Sequence, residues 1–474
     1  MPRRVLTVGP MPPEKCAFAL ARYSRSPDSI RDSLEWVRTH DSTKFLESFY
    51  FQYGHSSIAD LGHTVVCFEG ISELAATEVE DEQLWDGQAR SSRYQDFSKS
   101  GFVTPPELDV AQAALYQHTA AKLLAGYNQI HAKMSDYLTQ RLPRPESMKP
   151  EAYQRNIRAR AFDVARYLLC FGISTGVGQV TSIRGLERQV RRLKTSEYQE
   201  LRELAGEIAE ACASQPSVHW DENVSAGPVA PTLAKHLDAD EHLARSRDDL
   251  REWARQNLPA SKSGCPEAVD LLKPTETLAD VVATLLYPAT DRPYRELYEL
   301  ALSWSVARKN EVIEVALRSR THRDELLHHF RSGPYVYDIA MDIGAYRDLH
   351  RHRRCHQFRQ TYSTNLGFET PDAIAEAGLS ETYTSLVALA SNAFAELPSP
   401  GAHYLLPFAT RARFLFKMDF AEAEYISRLR TGVKGHFSYR KIAWQMKETM
   451  AKLEPELGRW MEATPPWVED PLVR

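Results

Sequence analysis

The chain has 474 residues, of which 43% are hydrophobic, 26% charged and 10% aromatic, enough for two or three domains with their own cores and too apolar for wholesale disorder. Its 58 Lys and Arg stand against 63 Asp and Glu, a net charge of -5, so no global field draws it to nucleic acid or an acidic membrane and any basic site must be local. Apolar stretches such as Tyr167 to Ile173 are too short to span a bilayer, the Met1-Pro2-Arg3-Arg4 start lacks the apolar core of a signal peptide, and Cys16, Cys67, Cys170, Cys212, Cys265 and Cys355 show no C-x-x-C spacing; a cytoplasmic protein with reduced thiols and no zinc site is expected.

In chain order, Thr64 to Phe68 (Thr-Val-Val-Cys-Phe) reads as a strand. Thr104-Pro105-Pro106 opens a helical segment, and from Leu115 to Leu142 the residues Leu123, Tyr127, Ile130, Met134 and Tyr137 recur near the helical period, which predicts one buried stripe. From about Ser214 to Pro274 the residues Pro216, Gly227-Pro228, Pro231, Pro259 and Gly264-Cys265-Pro266 interrupt regular structure, which predicts a connector holding one charged, solvated helix over Leu233 to Leu258. A second strand is read at Pro334 to Ile339, and Thr370-Pro371 precedes an Ala- and Leu-rich helical segment ending near Leu397-Pro398.

The two halves match each other at three collinear places. Gly101-Phe102-Val103-Thr104-Pro105 parallels Gly367-Phe368-Glu369-Thr370-Pro371, Ala165-Arg166-Tyr167-Leu168-Leu169 parallels Ala402-His403-Tyr404-Leu405-Leu406, and Arg192-Leu193-Lys194-Thr195 parallels Arg428-Leu429-Arg430-Thr431, at offsets of 266, 237 and 236 residues. An internal duplication accounts for the common order with modest insertions.

The densest chemistry lies in Leu349-His350-Arg351-His352-Arg353-Arg354-Cys355-His356-Gln357-Phe358-Arg359, where no acid interrupts the guanidinium and imidazole groups. A polyanionic partner would relieve their repulsion, each Arg fork holding two phosphate oxygens. Three other readings stay open: a solvated face neutralised by nearby acids, a nucleic-acid patch, and a metal site from His350, His352, Cys355 and His356, which the arginine charges disfavour.

Arg351-His352-Arg353, followed by seven residues and the hydroxyl of Thr361, resembles the R-H-R signature of the flavin-dependent thymidylate synthases. The rest of that signature, a serine one residue before Arg-Tyr, stands in the first half as Ser91-Ser92-Arg93-Tyr94, after Gly54-His55-Ser56-Ser57 and Gly70-Ile71-Ser72, which also look like the family. The resemblance covers roughly 15 to 213 and 275 to 460. It implies an α/β (α+β) fold of two tandem thymidylate synthase-like domains, each a mixed sheet with long helices: a first repeat over 1–213, the connector 214–274, and a second repeat over 275–474. It also implies active sites at subunit interfaces, in a homotetramer that a homodimer of two-repeat chains would rebuild. In the family's reaction NADPH reduces FAD, methylenetetrahydrofolate gives a methylene group to dUMP, reduced flavin supplies the hydride that completes the methyl group, and no cysteine nucleophile is used.

Compared position by position, the copies have complementary losses. The first has Asp81, Glu82 and Gln83 where R-H-R is expected, a charge inversion that repels a flavin pyrophosphate, yet keeps Ser91, Arg93, Tyr94 and Arg166. The second keeps Arg351, His352, Arg353 and Arg430, while its phosphate positions have become Thr361, Ser363 and His403. One composite site per chain is therefore expected. Ser91, Ser92, Arg93, Tyr94, Arg166 and Arg430 would bind a pyrimidine nucleotide, Arg351, His352, Arg353, His55 and Arg184 would bind FAD, and Arg351 and Arg430 would be catalytic. Gln88-Ala89-Arg90 offers no glutamate before Ser91, so recognition of the base could differ. On bland readings Arg93-Tyr94 closes a surface loop, Arg166 pairs with Asp163 at i−3, and Arg430 is an exposed residue after a helix. A flavin- or nucleotide-binding protein without turnover and a nucleic-acid module built on Arg351 to Arg359 are the competing functions.

Overall fold

The computed structural model describes residues 11–23, 29–47, 56–82, 84–216, 218, 228–260, 268–321, 327–330, 334–458, 461–470 and 472. Its first repeat runs α1 (Pro13–Tyr23), α2 (Ile30–Thr39), α3 (Ser42–Leu46), β1 (His63–Ser72), α4 (Glu73–Glu80), β2 (Trp85–Ala89), α5 (Val110–Arg141), α6 (Pro150–Ala165), β3 (Ser174–Ser182), α7 (Ile183–Leu193) and α8 (Gln199–Ala213). After α9 (Glu241–Asn257) and β4 (Val269–Leu272), the second repeat runs α10 (Thr277–Leu286), α11 (Tyr294–Ser303), α12 (Val306–Leu317), β5 (Tyr335–Asp342), α13 (Ile343–Leu349), β6 (His356–Arg359), α14 (Asp372–Glu376), α15 (Ser380–Glu396), β7 (Arg411–Met418), α16 (Phe420–Arg430) and α17 (Phe437–Leu453). The sheets have the orders β1-β3-β2 and β4-β5-β7-β6; β1, β3 and β2 thus occupy the places of β5, β7 and β6, and the helices that follow the strands match as well.

The α+β class and the long helices are as the resemblance implies. In the second sheet, however, every pairing is antiparallel rather than mixed, Tyr335 facing Met418 across β5 and β7 and His356 facing Lys417 across β6 and β7. The whole of β5 is buried. Its residues alternate as a strand dictates: Val336 joins the apolar core with Val282, Leu285, Leu297, Val312 and Leu415, while the Tyr337 hydroxyl lies at 3.5 Å from the Met446 carbonyl of α17. In the first repeat, Ala17, Ala21, Leu46 and Ile58 cluster around α1.

Both predicted strands exist, inside β1 and β5, and the long helix exists as α5. Three details differ. The cap of α5 is Asp109, not Thr104: its side chain accepts from the Gln112 N–H and the Gln112 side chain accepts from the Asp109 N–H, a reciprocal box. The buried seat after Met134 belongs to Leu138, while Tyr137 is half-buried with its hydroxyl on Glu376 at 3.0 Å. The segment after Thr370-Pro371 is two helices, because Gly378 at φ 67° stops α14 before α15 begins.

The helix expected to be solvated is α9 alone, preceded by a short 3-10 turn at Leu233–His236; it buries His242, Ser246, Leu250, Trp253 and Ala254. Recurring at about the helical period, these make a buried stripe that a charge count over the segment conceals. Among the described residues no helix is long and apolar enough to cross a membrane.

The chain divides into two units, Met1–Glu69 with Leu84–Ala89 and Val177–Asp240, and Gly70–Gln83 with Arg90–Gly176 and Glu241–Arg474. The second unit therefore holds parts of both repeats. There the duplicated segments pair with each other about a local two-fold: the Phe171 N–H donates to Leu406 O as the Phe408 N–H donates to Leu169 O, and Gly172 to Tyr404 as Ala409 to Tyr167, with Cys170 opposite Pro407 at the centre. The contact is self-complementary, residue i meeting j and j meeting i, as in a symmetric dimer. Within each repeat the same bonds recur, Glu73 to Ile173 as Ile343 to Thr410, and Val103 to Gly172 as Glu369 to Ala409.

Candidate active site

The loop after β2 turns at Ser91, whose carbonyl accepts from the Gln95 N–H at 3.0 Å and whose hydroxyl accepts from the Arg93 N–H at 3.3 Å. That turn sends Arg93 inward. Its Nε and Nη2 donate to the two carboxylate oxygens of Asp163 on α6 at 2.8 and 3.3 Å, Nη1 donates to the Tyr439 hydroxyl of α17 at 3.0 Å, and Nη2 also donates to Lys434 O at 2.9 Å. Burial opposes the charge on Arg93, but Asp163 and Tyr439 outweigh it and raise the pKa, so the guanidinium stays protonated. Beside it, Ser92 is buried and its hydroxyl accepts from Arg347 Nη1 at 2.9 Å, while Tyr94 is exposed with its ring 5.6 Å from the Arg93 guanidinium.

Arg166, 1% exposed, follows α6 in the segment that forms the two-fold pairing. Its Nη1 and Nη2 both donate to Asp348 Oδ2 at 3.2 Å, Nη2 lies 3.3 Å from Gly344 O, and Nε has no hydrogen-bond partner. Asp348 sits in the last turn of α13. Burial would raise its pKa, but the charges of Arg166, Arg93, Arg430 and Arg351 overcome this and hold it down to about 2. Arg93 and Arg166 come from the first repeat, Arg430 and Arg351 from the second.

The R-H-R residues follow α13 directly. Arg351 and Arg353 are half-buried, whereas His352 is 4% exposed. The His352 Nε2 accepts from Arg430 Nε at 2.7 Å, which leaves Nδ1 to donate to Glu422 Oε1 at 3.1 Å. Burial, with the nearby Arg430 charge, lowers the His352 pKa and keeps the ring neutral. Both nitrogens are thus engaged by protein, and the ring ties the last turn of α16 to its first. Arg430 is not a free residue after a helix: its guanidinium and that of Arg93 each lie 5.7 Å from the Tyr439 ring centroid.

A further buried layer supports these groups. His436, the N-cap of α17, directs Nε2 to Asp163 O at 2.9 Å and accepts from the Ser438 N–H at 3.3 Å; burial and the Arg166 and Arg93 charges push its pKa well below the usual value. Arg347 Nε meets Glu73 Oε1 at 2.5 Å, and Asp342, the N-cap of α13, accepts from the Ala345 N–H at 2.7 Å and from the Ser438 hydroxyl. Sequence reasoning missed Asp163 as the Arg93 partner, and missed Asp348, Tyr439, His436, Arg347, Glu73 and Glu422. The i−3 spacing suggested Asp163 for Arg166, but Arg166 pairs with Asp348 because its side chain leaves α6 toward α13. Two of these stood beside a motif: Asp348, three residues before Arg351, and Glu73, directly after Gly70-Ile71-Ser72.

The positions matching this cluster about the two-fold are closed. Glu78, the counterpart of Asp348, is met by Arg359, whose guanidinium lies 5.3 Å from the ring of buried Tyr362. His403, the counterpart of Arg166, is buried against Phe394 and Tyr362. The Thr361 hydroxyl is 3.4 Å from Arg251 Nη2, and the Ser363 hydroxyl accepts from the Asn365 N–H at 3.4 Å. Arg184 belongs to the other unit and meets Asp60 at 3.0 Å. His55 and Gln83 lie outside the described residues. His350 Nδ1 is occupied by the Tyr346 hydroxyl and Gln357, the Cys355 thiol donates to His352 O at 2.9 Å, and among the described residues no His, Cys, Asp or Glu group is arranged to hold a metal.

A family model described as Thymidylate synthase complementing protein matches the chain twice, at residues 5–215 and 271–456. Similar curated relatives are a UPF0159 protein of Chlamydia muridarum, 24% identical over 417 residues that cover 85% of this chain and 77% of that one, and the UPF0159 protein Ta1429 of Thermoplasma acidophilum, 23% identical over 481 residues and covering 93% of each. Among solved structures, a Helicobacter pylori thymidylate synthase X with FAD and dUMP is 15% identical, covers 42% of this chain and 88% of its own, and has a TM-score of 0.26. With the family matched once in each half, and the same strand order and backbone bonds in both, the chain belongs to the thymidylate synthase complementing protein family as a diverged tandem duplication of its domain.

Proposed function

We propose that each chain carries one composite active site for FAD-dependent reductive one-carbon transfer to a pyrimidine nucleotide, converting dUMP to dTMP with methylenetetrahydrofolate as carbon donor and NADPH as electron source. The observation that supports this reading is that Arg166 of one repeat pairs with Asp348 of the other, which also feels the charges of Arg93, Arg430 and Arg351. A phosphate dianion needs several fixed cations; across the two-fold Glu78 meets Arg359, and His403 stands in the place of Arg166. In this reading Arg93 and Arg166 hold the phosphate, with Ser91, Ser92 and Tyr94 shaping the loop, and Arg430 reaches the nucleotide from α16.

Arg351 and Arg353, half-buried and two residues apart, fit the anionic parts of FAD, its pyrophosphate or the pyrimidine edge of its reduced ring. His352 fits a positioning role, holding Arg430 through Nε2. Bound flavin supplies the hydride that completes the methyl group. A second reading, flavin or nucleotide binding without turnover, is favoured by one observation: Arg93 and Arg166 already engage Asp163, Tyr439, Lys434 and Asp348.

The test is the visible spectrum of the purified protein with FAD and NADPH under anaerobic conditions, with and without dUMP and methylenetetrahydrofolate. Bleaching followed by substrate-dependent reoxidation is expected. Bleaching without reoxidation selects the binding-only reading, and no flavin binding overturns the first reading and, if dUMP is not bound either, the second. Arg93→Ala should weaken nucleotide binding about tenfold or more while sparing flavin, and Arg353→Ala the reverse; loss of both ligands in one folded variant contradicts the division of roles.

A further inference from the structure

Arg166 is 1% exposed, and both of its terminal nitrogens rest on a single oxygen of Asp348, Oδ2, at 3.2 Å. Its Nε is buried without an acceptor, so the guanidinium has donor capacity that the ligand-free protein leaves unfilled. Asp348 is also the carboxylate on which Arg93, Arg430 and Arg351 act. A carboxylate and a phosphate oxygen compete for the same guanidinium edge, each accepting from the paired nitrogens. The composite cluster therefore already contains an anion of its own, which holds the Nη1–Nη2 edge of Arg166 that a phosphate oxygen would otherwise take.

We propose that Asp348 sets the affinity of the cluster: it is an internal anion that occupies the arginines in the absence of ligand and competes with the phosphate of a nucleoside monophosphate. This rests on the reading that the cluster receives a phosphate monoester. While the site is empty, the carboxylate keeps the arginines from repelling one another. On binding, its displacement is subtracted from the affinity, so the cluster binds phosphate more weakly than its arginines would allow. The Gly344 carbonyl, 3.3 Å from Nη2, holds Arg166 in place when the carboxylate leaves.

The test measures binding of dUMP and of inorganic phosphate to the full chain by calorimetry, for wild type, Asp348→Asn and Asp348→Glu. Asp348→Asn is expected to tighten both ligands about tenfold, the size of one charge-assisted bond no longer displaced, and to melt lower without phosphate but recover more on adding it. Asp348→Glu keeps the charge and should stay within about twofold of wild type. Unchanged or weaker binding in Asp348→Asn overturns the inference, as does equal tightening in both variants. If wild type binds dUMP and Asp348→Asn binds it no tighter, the inference fails while the functional proposal stands. Phosphate bound tightly by Asp348→Asn, with no nucleotide bound by either, supports the inference and sinks that proposal. Should Asp348→Asn not fold, a crystal structure of the wild-type chain with phosphate decides: Asp348 turned from Arg166 supports the inference, and an intact pair with phosphate elsewhere refutes it.

Discussion

Glu73 opens α4 with one carboxylate oxygen on Arg347 and the other, Oε2, without a hydrogen-bond partner, at 2% exposure. Burial, against the lowering charge of Arg347, pushes its pKa from 4.5 up to about 7, and burial likewise brings Asp342 up to about 6. A carboxyl whose folded pKa exceeds its unfolded value keeps its proton in the native state after the unfolded chain has lost it. Its contribution to stability is therefore complete below 4.5 for Glu73 and disappears as pH rises through about 7. Chemical denaturation across this window should show the wild type losing up to about 3 kcal/mol from Glu73. Glu73→Gln, which cannot titrate, should flatten that slope, and an unchanged slope would assign it to other groups.

The helices of the site are held at their ends. His352 links Glu422 in the first turn of α16 to Arg430 in its last; the acid is placed near the helix N-terminus and the cation near the C-terminus, the order the helix dipole favours. His436 caps α17 and fixes Asp163 O, so one imidazole joins α17 to the helix that carries the Arg93 partner. The long α5 starts at the reciprocal Asp109 and Gln112 box, whose removal in Asp109→Ala should cost about 1 kcal/mol in thermal or urea unfolding. A cost near zero would mean that packing along Leu123, Ile130 and Met134 alone sets where the helix begins.

At the scale of the whole molecule, two copies of one domain in a single chain meet through the self-complementary pairing of 167–172 with 404–409. Covalent fusion lets matching positions diverge, so Asp348 meets Arg166 amid the charges of Arg93, Arg430 and Arg351 while Glu78 meets Arg359. We propose that two such chains associate as a homodimer. Light scattering on the purified protein should give the mass of two chains, and a strictly monomeric mass removes the proposal.

The sequence by itself determined the local features: both strands, the helical period of α5, the motif around Arg351, and the duplication, which shows in matched segments because repeated backbone hydrogen bonds preserve spacing. It also identified the arginines that converge, since a motif marks residue type without reference to partners. It misread α9 as solvated, because burial of a stripe depends on what packs against it, and it did not reveal that His352 bonds Glu422 and Arg430. Only the tertiary structure decided which carboxylate meets which guanidinium, Asp163 for Arg93 and Asp348 for Arg166. Periodicity is set within a few residues by backbone geometry, whereas a buried charge must be matched by whatever group the fold brings within a few ångströms, and here those groups lie 70 and 182 positions away along the chain.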